Sequence, residues 1–546
     1  MIDFFTTKSG LPGIIVNGKK YHSVYDPEKE AERFIDHSFK KHTLEECTLN
    51  SALPTTVILL GEGGGYLVNA INKKYPFSRC ITIFYSDKLY TFCKIKGSAA
   101  WHPSFRNSLE NFLINQLNEF DLEGLHVVEW PVAASVFPEM SQTAKSTISQ
   151  VIKELRGNLL TTIGMGKLWI RNSFYNCLHI NSVYSGNPFP VNRPVVITAS
   201  GPTLEETLTF LKSLRQHLFI VALPSSTPCL NANGIYPDMI IMTDPGYYSL
   251  YHLQWIKKKS VRLFMPLSAA AGIWRMPFKI FLFSQPAFFE EVLLSKLNLS
   301  VPSIPPQGTV AATAVQHALS MSDAPVILCG LDLCYDDIRA HARPDAFDVL
   351  LAVTASRFDP FYSQKYKRAF LFAPMVRKKL KIRTSLTLST YEGWFSHCDA
   401  ETKKKIIRFR PSPIQLDGIR TIESNSLTGL VRGKKGVAAQ TEIMVNGYPD
   451  FNKRKRIVCN LLQSWISLCL NTASHIKKTS TLSMIFTNKE VFQLFYFIDL
   501  QHLRMIKQLI RTSGEKAGIN SALTMCSNTE TFLQKLLEKM ILARGD

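Results

Sequence analysis

Short apolar runs that end in small or acidic residues recur through the first three quarters of the chain. Val57–Leu60 runs into GEGGGY and then into an apolar-periodic stretch ending near Ile71, which predicts a strand, a glycine turn and a helix. CITIFY (80–85) predicts a second strand that stops at Ser86-Asp87. Val195–Thr198 runs into Ser200-Gly201-Pro202, Met239–Thr243 into Asp244-Pro245-Gly246, and Val326–Cys329 into Gly330, Leu331 and Asp332. Runs this short and this uniformly apolar suit strands covered on both faces. Residues 141–180 and 306–319 carry helical periodicity, and so do 456–472, 488–512 and 528–544, where Phe532, Leu533, Leu536, Leu537 and Met540 share a face. The alternation predicts an α/β protein: a Rossmann-like N-terminal domain (1–165), a central α/β domain with a mainly parallel sheet (166–430) and a helical C-terminal domain (431–546).

Candidate chemistry follows from where the strands end. In open parallel sheets ligands lie outside the carboxyl ends of the strands, so Ser200, Asp244 and Asp332 are expected to face one crevice. Thr203 opens a helix with Glu206 at the capping-box position, and the amides of Ser200–Thr203 at the positive end of that helix form a site for phosphate or carboxylate. PQGTVAATAVQHAL (306–319) adds a second helix start, with Gly308 ending a loop, Thr309 as a cap and small residues that let a ligand approach the backbone. His341 alone among the histidines follows closely behind a strand-end motif, and imidazole suits general-base work near neutral pH. Taken singly, each residue also fits an ordinary turn, cap or solvated loop. GEGGGY has two glycines of a dinucleotide- or methyl-donor-binding turn, but Tyr66 replaces the third and Asp87 comes late, so a tight turn without a ligand is the simpler reading.

Charge narrows the partners. The 546 residues carry a formal net charge of +20, with basic runs at VRKKLKIR (376–383), TKKKIIRFR (402–410) and NKRKR (452–456). Nucleotides, acidic sugars and an anionic membrane face fit that charge. Nucleic acid is not expected, because no RNA-recognition signature or zinc finger accompanies the basic runs. No transmembrane segment is expected: Cys459–Leu470 is short and broken by Asn460, Gln463 and Ser464. MIDFFTTKSG lacks the pattern of a secretory signal. The eleven cysteines contain no CxxC pair, which predicts reduced thiols in a cytoplasm and no zinc site.

Four segments, ASGPTLEE, NGIYPDMIIMTDPG, QGTVAATAVQHALSM and VILCGLDLCYDDIRAHA, together resemble the motility-associated-factor (Maf) glycosyltransferases, which modify flagellin. HSVYDPEKEAERFI (22–35), GEGGGY (61–66) and WIRNSFYN (169–176) are also similar to that family, so the resemblance covers roughly residues 1–425. The central domain is similar to bacterial sialyltransferases and to 6-hydroxymethylpterin diphosphokinase-like (MptE-like) proteins. The resemblance implies a CMP-activated nonulosonic acid of the pseudaminic or legionaminic type as donor, and a flagellin Ser or Thr hydroxyl as acceptor. It implies inverting transfer with His341 as base and Asp332 and Tyr335 as further catalytic residues. Ser200, Gly201, Pro202, Thr203, Asp244, Gly308 and Thr309 would then hold the nucleotide sugar. No metal or other cofactor is required, although Asp336-Asp337 could take Mg²⁺. The MptE-like alternative makes Asp244, Asp332 and Asp336 magnesium ligands for pyrophosphoryl transfer from ATP. A third reading is a non-catalytic scaffold that binds flagellin through the helical tail, and a fourth is a methyltransferase built on GEGGGY. The sequence departs from the family pattern at RFRPSPIQLDGIRTI (408–422), where members usually carry a glycine-rich acidic segment.

Overall fold

A computed structural model describes residues 2–45, 55–186, 193–256, 261–409, 412–423 and 443–545. The chain divides into two compact units, Met1–Gly164 with Asn471–Asn528, and Met165–Leu470 with Thr529–Asp546. The domain limit expected at residue 430 lies outside the described residues.

In the first unit the strands Ala99–Trp101, Arg79–Ile83, Thr56–Leu60 and Leu125–Glu129 lie side by side in that order, all parallel. Every residue of Thr56–Leu60 is buried, as its unbroken apolar pattern requires. Gly61 and Gly65 take positive φ (75° and 89°) and turn the chain into the helix Tyr66–Lys74. The residue between them fills the turn from inside. The buried Glu62 carboxylate accepts the amides of Gly63 (2.8 Å), Gly65 (2.9 Å) and Val68 (3.0 Å). Those are the donors a pyrophosphate would need at this helix start. Burial pushes the Glu62 pKa up, while the amides of Gly65, Gly63 and Val68 pull it back. Asp87 is likewise engaged, with Ser104 and with His102 Nδ1 at 2.7 Å. In the same unit the periodic stretch 488–512 forms two helices rather than one, Lys489–Ile498 and Leu500–Ser513. They part at Asp499, whose carboxylate caps the second.

The second unit holds a ten-stranded sheet among the described residues. Its seven central strands are parallel in the order Ile406–Phe409, Val326–Cys329, Val195–Thr198, Phe219–Ala222, Met239–Ile241, Arg262–Met265 and Lys279–Leu282. The chain starts at Val195–Thr198, steps outward to Lys279–Leu282, and returns to the opposite side at Val326–Cys329. The strand order therefore reverses between two neighbours, Val195–Thr198 and Val326–Cys329, the place where open α/β sheets leave a crevice. The helix Val310–Met321 packs across both strands, and its buried Ala311, Ala312, Ala314 and Ala318 allow the close approach. The C-terminal region is helical, with Phe451–Thr479 and Ile519–Leu542 as its longest elements. The protein is thus mixed α/β with parallel sheets, as the apolar runs predict. No helix among the described residues is long and apolar enough to cross a membrane.

WIRNSFYN lies in the helix Pro138–His179, and two of its residues brace the sheet loops. Asn172 Nδ2 donates to Pro245 O (2.9 Å), and Asn176 Nδ2 donates to Leu267 O and Ala269 O (2.8 Å each). Both asparagines are buried, and they tie this helix to the loops after Met239–Ile241 and Arg262–Met265. Glu290 reinforces the same rim by accepting the amides of Ser268 (2.7 Å) and Gln285 (3.1 Å). Burial pushes its pKa from 4.5 up to about 7 against the pull of those hydrogen bonds. The unfolded chain therefore releases this proton at lower pH than the folded one. The stabilising contribution is fully present below pH 4.5 and is lost as pH rises through about 7. Relative to Glu290→Gln, the wild type is expected to lose about 3 kcal/mol over that range, read from hydrogen-exchange protection of peptides at 262–290 at pH 5 and pH 8. Parallel pH profiles for the two proteins would contradict it.

Candidate functional site

The crevice at the reversal of strand order is built by two turns locked together. Ala199 N donates to Cys329 O (2.9 Å) and Gly201 N to Gly330 O (2.7 Å), so the loops leaving the two strands run on as a pair. Position 201 must be glycine, since a Cβ there would fall 2.5 Å from the Asp332 carboxyl. The capping box expected at Thr203 is absent. Thr203 has helical backbone angles, and its hydroxyl donates to Asp332 Oδ1 while its amide donates to Asp332 Oδ2 at 2.9 Å. The cap of the helix Leu204–Ser213 thus comes from the next strand's loop. This corrects the reading of Thr203 as a free anion donor, because its amide is already engaged. Burial raises the Asp332 pKa, and the two bonds from Thr203 together with the charge of Arg408 lower it. Arg408 is itself buried on the neighbouring strand, where its guanidinium holds Leu331 O, Ile414 O and Ser412 Oγ.

A cavity of about 360 Å³ opens above these turns. It collects Ser200, Gly201, Asp244, Thr309, Asp332, Tyr335 and His341 from five separate stretches of sequence. Pro202, Thr203 and Gly308 are not in its wall. Gly308 (φ 72°) supplies the bend before the helix Val310–Met321, whose first residues line the cavity and direct the helix's positive end into it. Thr309 makes no side-chain cap bond at that helix start. Asp244 accepts the amide of Gly246 (2.7 Å), and burial pushes its pKa up against that bond. Burial also raises the Tyr335 pKa, which keeps the phenol a hydrogen-bond donor.

His341 is held from three sides. Ala342 N donates to Ser200 O (2.7 Å), Arg343 N donates to Glu205 Oε1 (2.8 Å), and Arg339 pairs with the same carboxylate, so the loop is fastened to the helix Leu204–Ser213. Asp345 stands behind the imidazole, with Oδ2 3.3 Å from Nδ1, an ion-pair distance rather than an aligned hydrogen bond. Burial works against the Asp345 charge, but His341 and the amide of Phe347 outweigh it and leave its pKa below the usual range. Asp244 and Asp332 are engaged with Gly246 and Thr203, so Asp345 is the carboxylate that backs the imidazole.

The cavity also contains a residue to which no sequence pattern pointed. His252, 6% exposed, stands on the helix Ser249–Leu253, its ring 6.2 Å from that of His341 and 4.8 Å from Phe347. Burial, helped by the neighbouring His341, lowers its pKa to about 4, so it is neutral at physiological pH. Its Nδ1 has no hydrogen-bond partner. Asp345 was legible only as a helix cap, through the Asp before Ala346-Phe347; the His341 pairing four residues back needs the bend between them.

A family model described as 6-hydroxymethylpterin diphosphokinase MptE-like matches residues 169–337, which include most of this cavity wall. An uncharacterized protein of Treponema pallidum (strain Nichols) is 25% identical over 406 residues, 73% of this chain and 84% of that protein. A second uncharacterized protein of that organism is 30% identical over 115 residues, 21% of this chain and 54% of its own length. Among solved structures, that of a Maf glycosyltransferase from Magnetospirillum magneticum AMB-1 covers 99% of this chain and 91% of its own, with a TM-score of 0.52 and 12% identity. The chain therefore has a Maf-like fold around an MptE-like region, in accord with the resemblance carried by its motifs.

Proposed function

We propose that the protein is a cytoplasmic glycosyltransferase that moves a nonulosonic acid from a CMP-activated donor to a Ser or Thr hydroxyl of flagellin. The observation that carries this reading is the cavity at the sheet's switch point. There a helix N-terminus, a donor phenol and a carboxylate-backed imidazole face the same space. Ser200 and Thr309, with the first turn of Val310–Met321, bind the nucleotide phosphate and sugar carboxylate, Gly201 lines the wall beside them with its amide held by Gly330 O, and Asp244 binds sugar or ribose hydroxyls. His341 takes the proton of the acceptor hydroxyl as its oxygen bonds to the anomeric carbon. The bond from that carbon to the phosphate oxygen breaks, CMP leaves with the electron pair, and the configuration inverts. The Tyr335 hydroxyl donates to the departing phosphate. Asp332 acts through Thr203 and is a positioning residue for the phosphate-binding turn. Residues 1–165 and 431–546 flank the catalytic domain.

The MptE-like match favours one competing reading, pyrophosphoryl transfer from Mg-ATP. Asp332, which that reading needs as a magnesium ligand, is turned toward Thr203, which supports the sugar-transfer reading. Calorimetric titration separates the two, since the first requires CMP binding and the second Mg-dependent ATP binding. Flagellin from cells with and without the gene is expected to differ in intact mass by whole nonulosonic acid residues. An unchanged mass would remove the proposed acceptor.

A further inference from the structure

Between Val326–Cys329 and its neighbour Ile406–Phe409 the chain makes a long excursion out of the sheet. It contains the helices Ala346–Thr354 and Phe361–Phe372 and a small antiparallel sheet of Tyr335–Asp336, Ile382–Thr384 and Met375–Arg377. Its outer side is unusually apolar for a surface. Val353 (79% exposed), Phe358 (95%), Tyr362 (64%) and Leu371 (71%) all lie open. Tyr362, Tyr366 and Phe370, four residues apart, form one stripe along their helix. Arg383 stacks 3.7 Å above Phe370, which joins the small sheet to that helix.

The same stretch is strongly basic. Residues 343–386 contain ten Lys or Arg against three Asp or Glu. All three acids have a close basic partner, Asp345 with His341, Asp348 with Lys365 and Asp359 with Lys367. Lys378, Lys379 and Lys381 cluster at the turn of the small sheet and are exposed. Apolar side chains interleaved with lysines do not fit a protein partner, because interface cores are depleted in lysine. A second copy would bring the same positive charge against itself. The combination fits the boundary of an anionic bilayer, where aromatic and aliphatic side chains enter the headgroup layer and Lys and Arg face lipid phosphates.

We propose that this face docks the protein onto an anionic lipid surface, with Phe358, at the tip of the loop between the two helices, as the inserting residue. The proposal is independent of the reaction assigned to the cavity. The full-length protein is mixed with vesicles of phosphatidylcholine alone, or of phosphatidylcholine and phosphatidylglycerol in equal parts, and sedimented. It is expected to partition onto the anionic vesicles only, with binding falling steeply as salt is raised. The double variant Lys378→Glu/Lys379→Glu is expected to bind at least about tenfold more weakly. Phe358→Ala/Leu371→Ala is expected to bind about tenfold more weakly. All four side chains are exposed, so thermal unfolding is expected to match the wild type for both variants. Absence of binding to either vesicle, equal binding to both, or variants that bind as tightly as the wild type would overturn the proposal. Self-association of the wild type that the same variants abolish would assign the patch to a second copy instead.

Discussion

Replacement of His341 by alanine is expected to slow sugar transfer by about 10²–10⁴-fold while leaving CMP affinity within a factor of a few. The loss falls on the chemical step because the imidazole is proposed to act on the acceptor hydroxyl, whereas the nucleotide is held by Ser200, Thr309 and the first turn of Val310–Met321. Asp345→Asn gives the finer test. It keeps the shape and the cap to Phe347 N (3.3 Å) but removes the negative charge 3.3 Å from His341 Nδ1. A fall of about tenfold is expected, because the charge stabilises the imidazolium formed at the transition state. His341 is only half-buried and Asp345→Asn keeps the helix cap, so both variants are expected to fold. The measurement is transfer to purified flagellin, followed by intact-mass spectrometry with CMP titration alongside. Full transfer by the His341 variant would sink the catalytic assignment and favour the scaffold reading.

The sequence exposes this site unevenly, for physical reasons. Strand ends are legible because a buried parallel strand must be continuously apolar and must stop at a residue that turns the chain. Ser200, Asp244 and Asp332 could therefore be assigned to one rim before any contact was known. Pairings across the fold leave no such mark. That Asp332 caps the helix behind Thr203 depends on two loops meeting across a register of parallel strands. His252 is hidden for a different reason: on a five-residue helix there is too little periodicity to distinguish a residue facing a cavity from one facing the core. Asn172 and Asn176 were within reach, since two amides four apart on one helix face point to a buried polar seam. Glu62 was within reach too, because a carboxylate inside a glycine turn occupies the place a phosphate would take.

That last residue yields the largest effect expected on stability. Glu62→Ala removes the acceptor for three buried amides, those of Gly63, Gly65 and Val68. At about 1–3 kcal/mol for each orphaned donor, the local cost is roughly 3–9 kcal/mol, at the extreme end for a single substitution. Glu62→Gln is expected to be intermediate. One oxygen, Oε1, accepts both Gly63 and Gly65, so the amide oxygen of glutamine can keep those two bonds. Its NH₂ group then faces the Val68 amide, donor against donor. Since the chain has two units, a single unfolding free energy is a poor measure, and native-state hydrogen exchange is the better one. Peptides spanning residues 56–74 are expected to lose protection in the order wild type, Gln, Ala, while peptides from the central sheet at 195–198 and 326–329 stay protected. Unchanged protection in the alanine variant would mean that the carboxylate does not hold the turn. The amides of GEGGGY would then be open to an external anion after all.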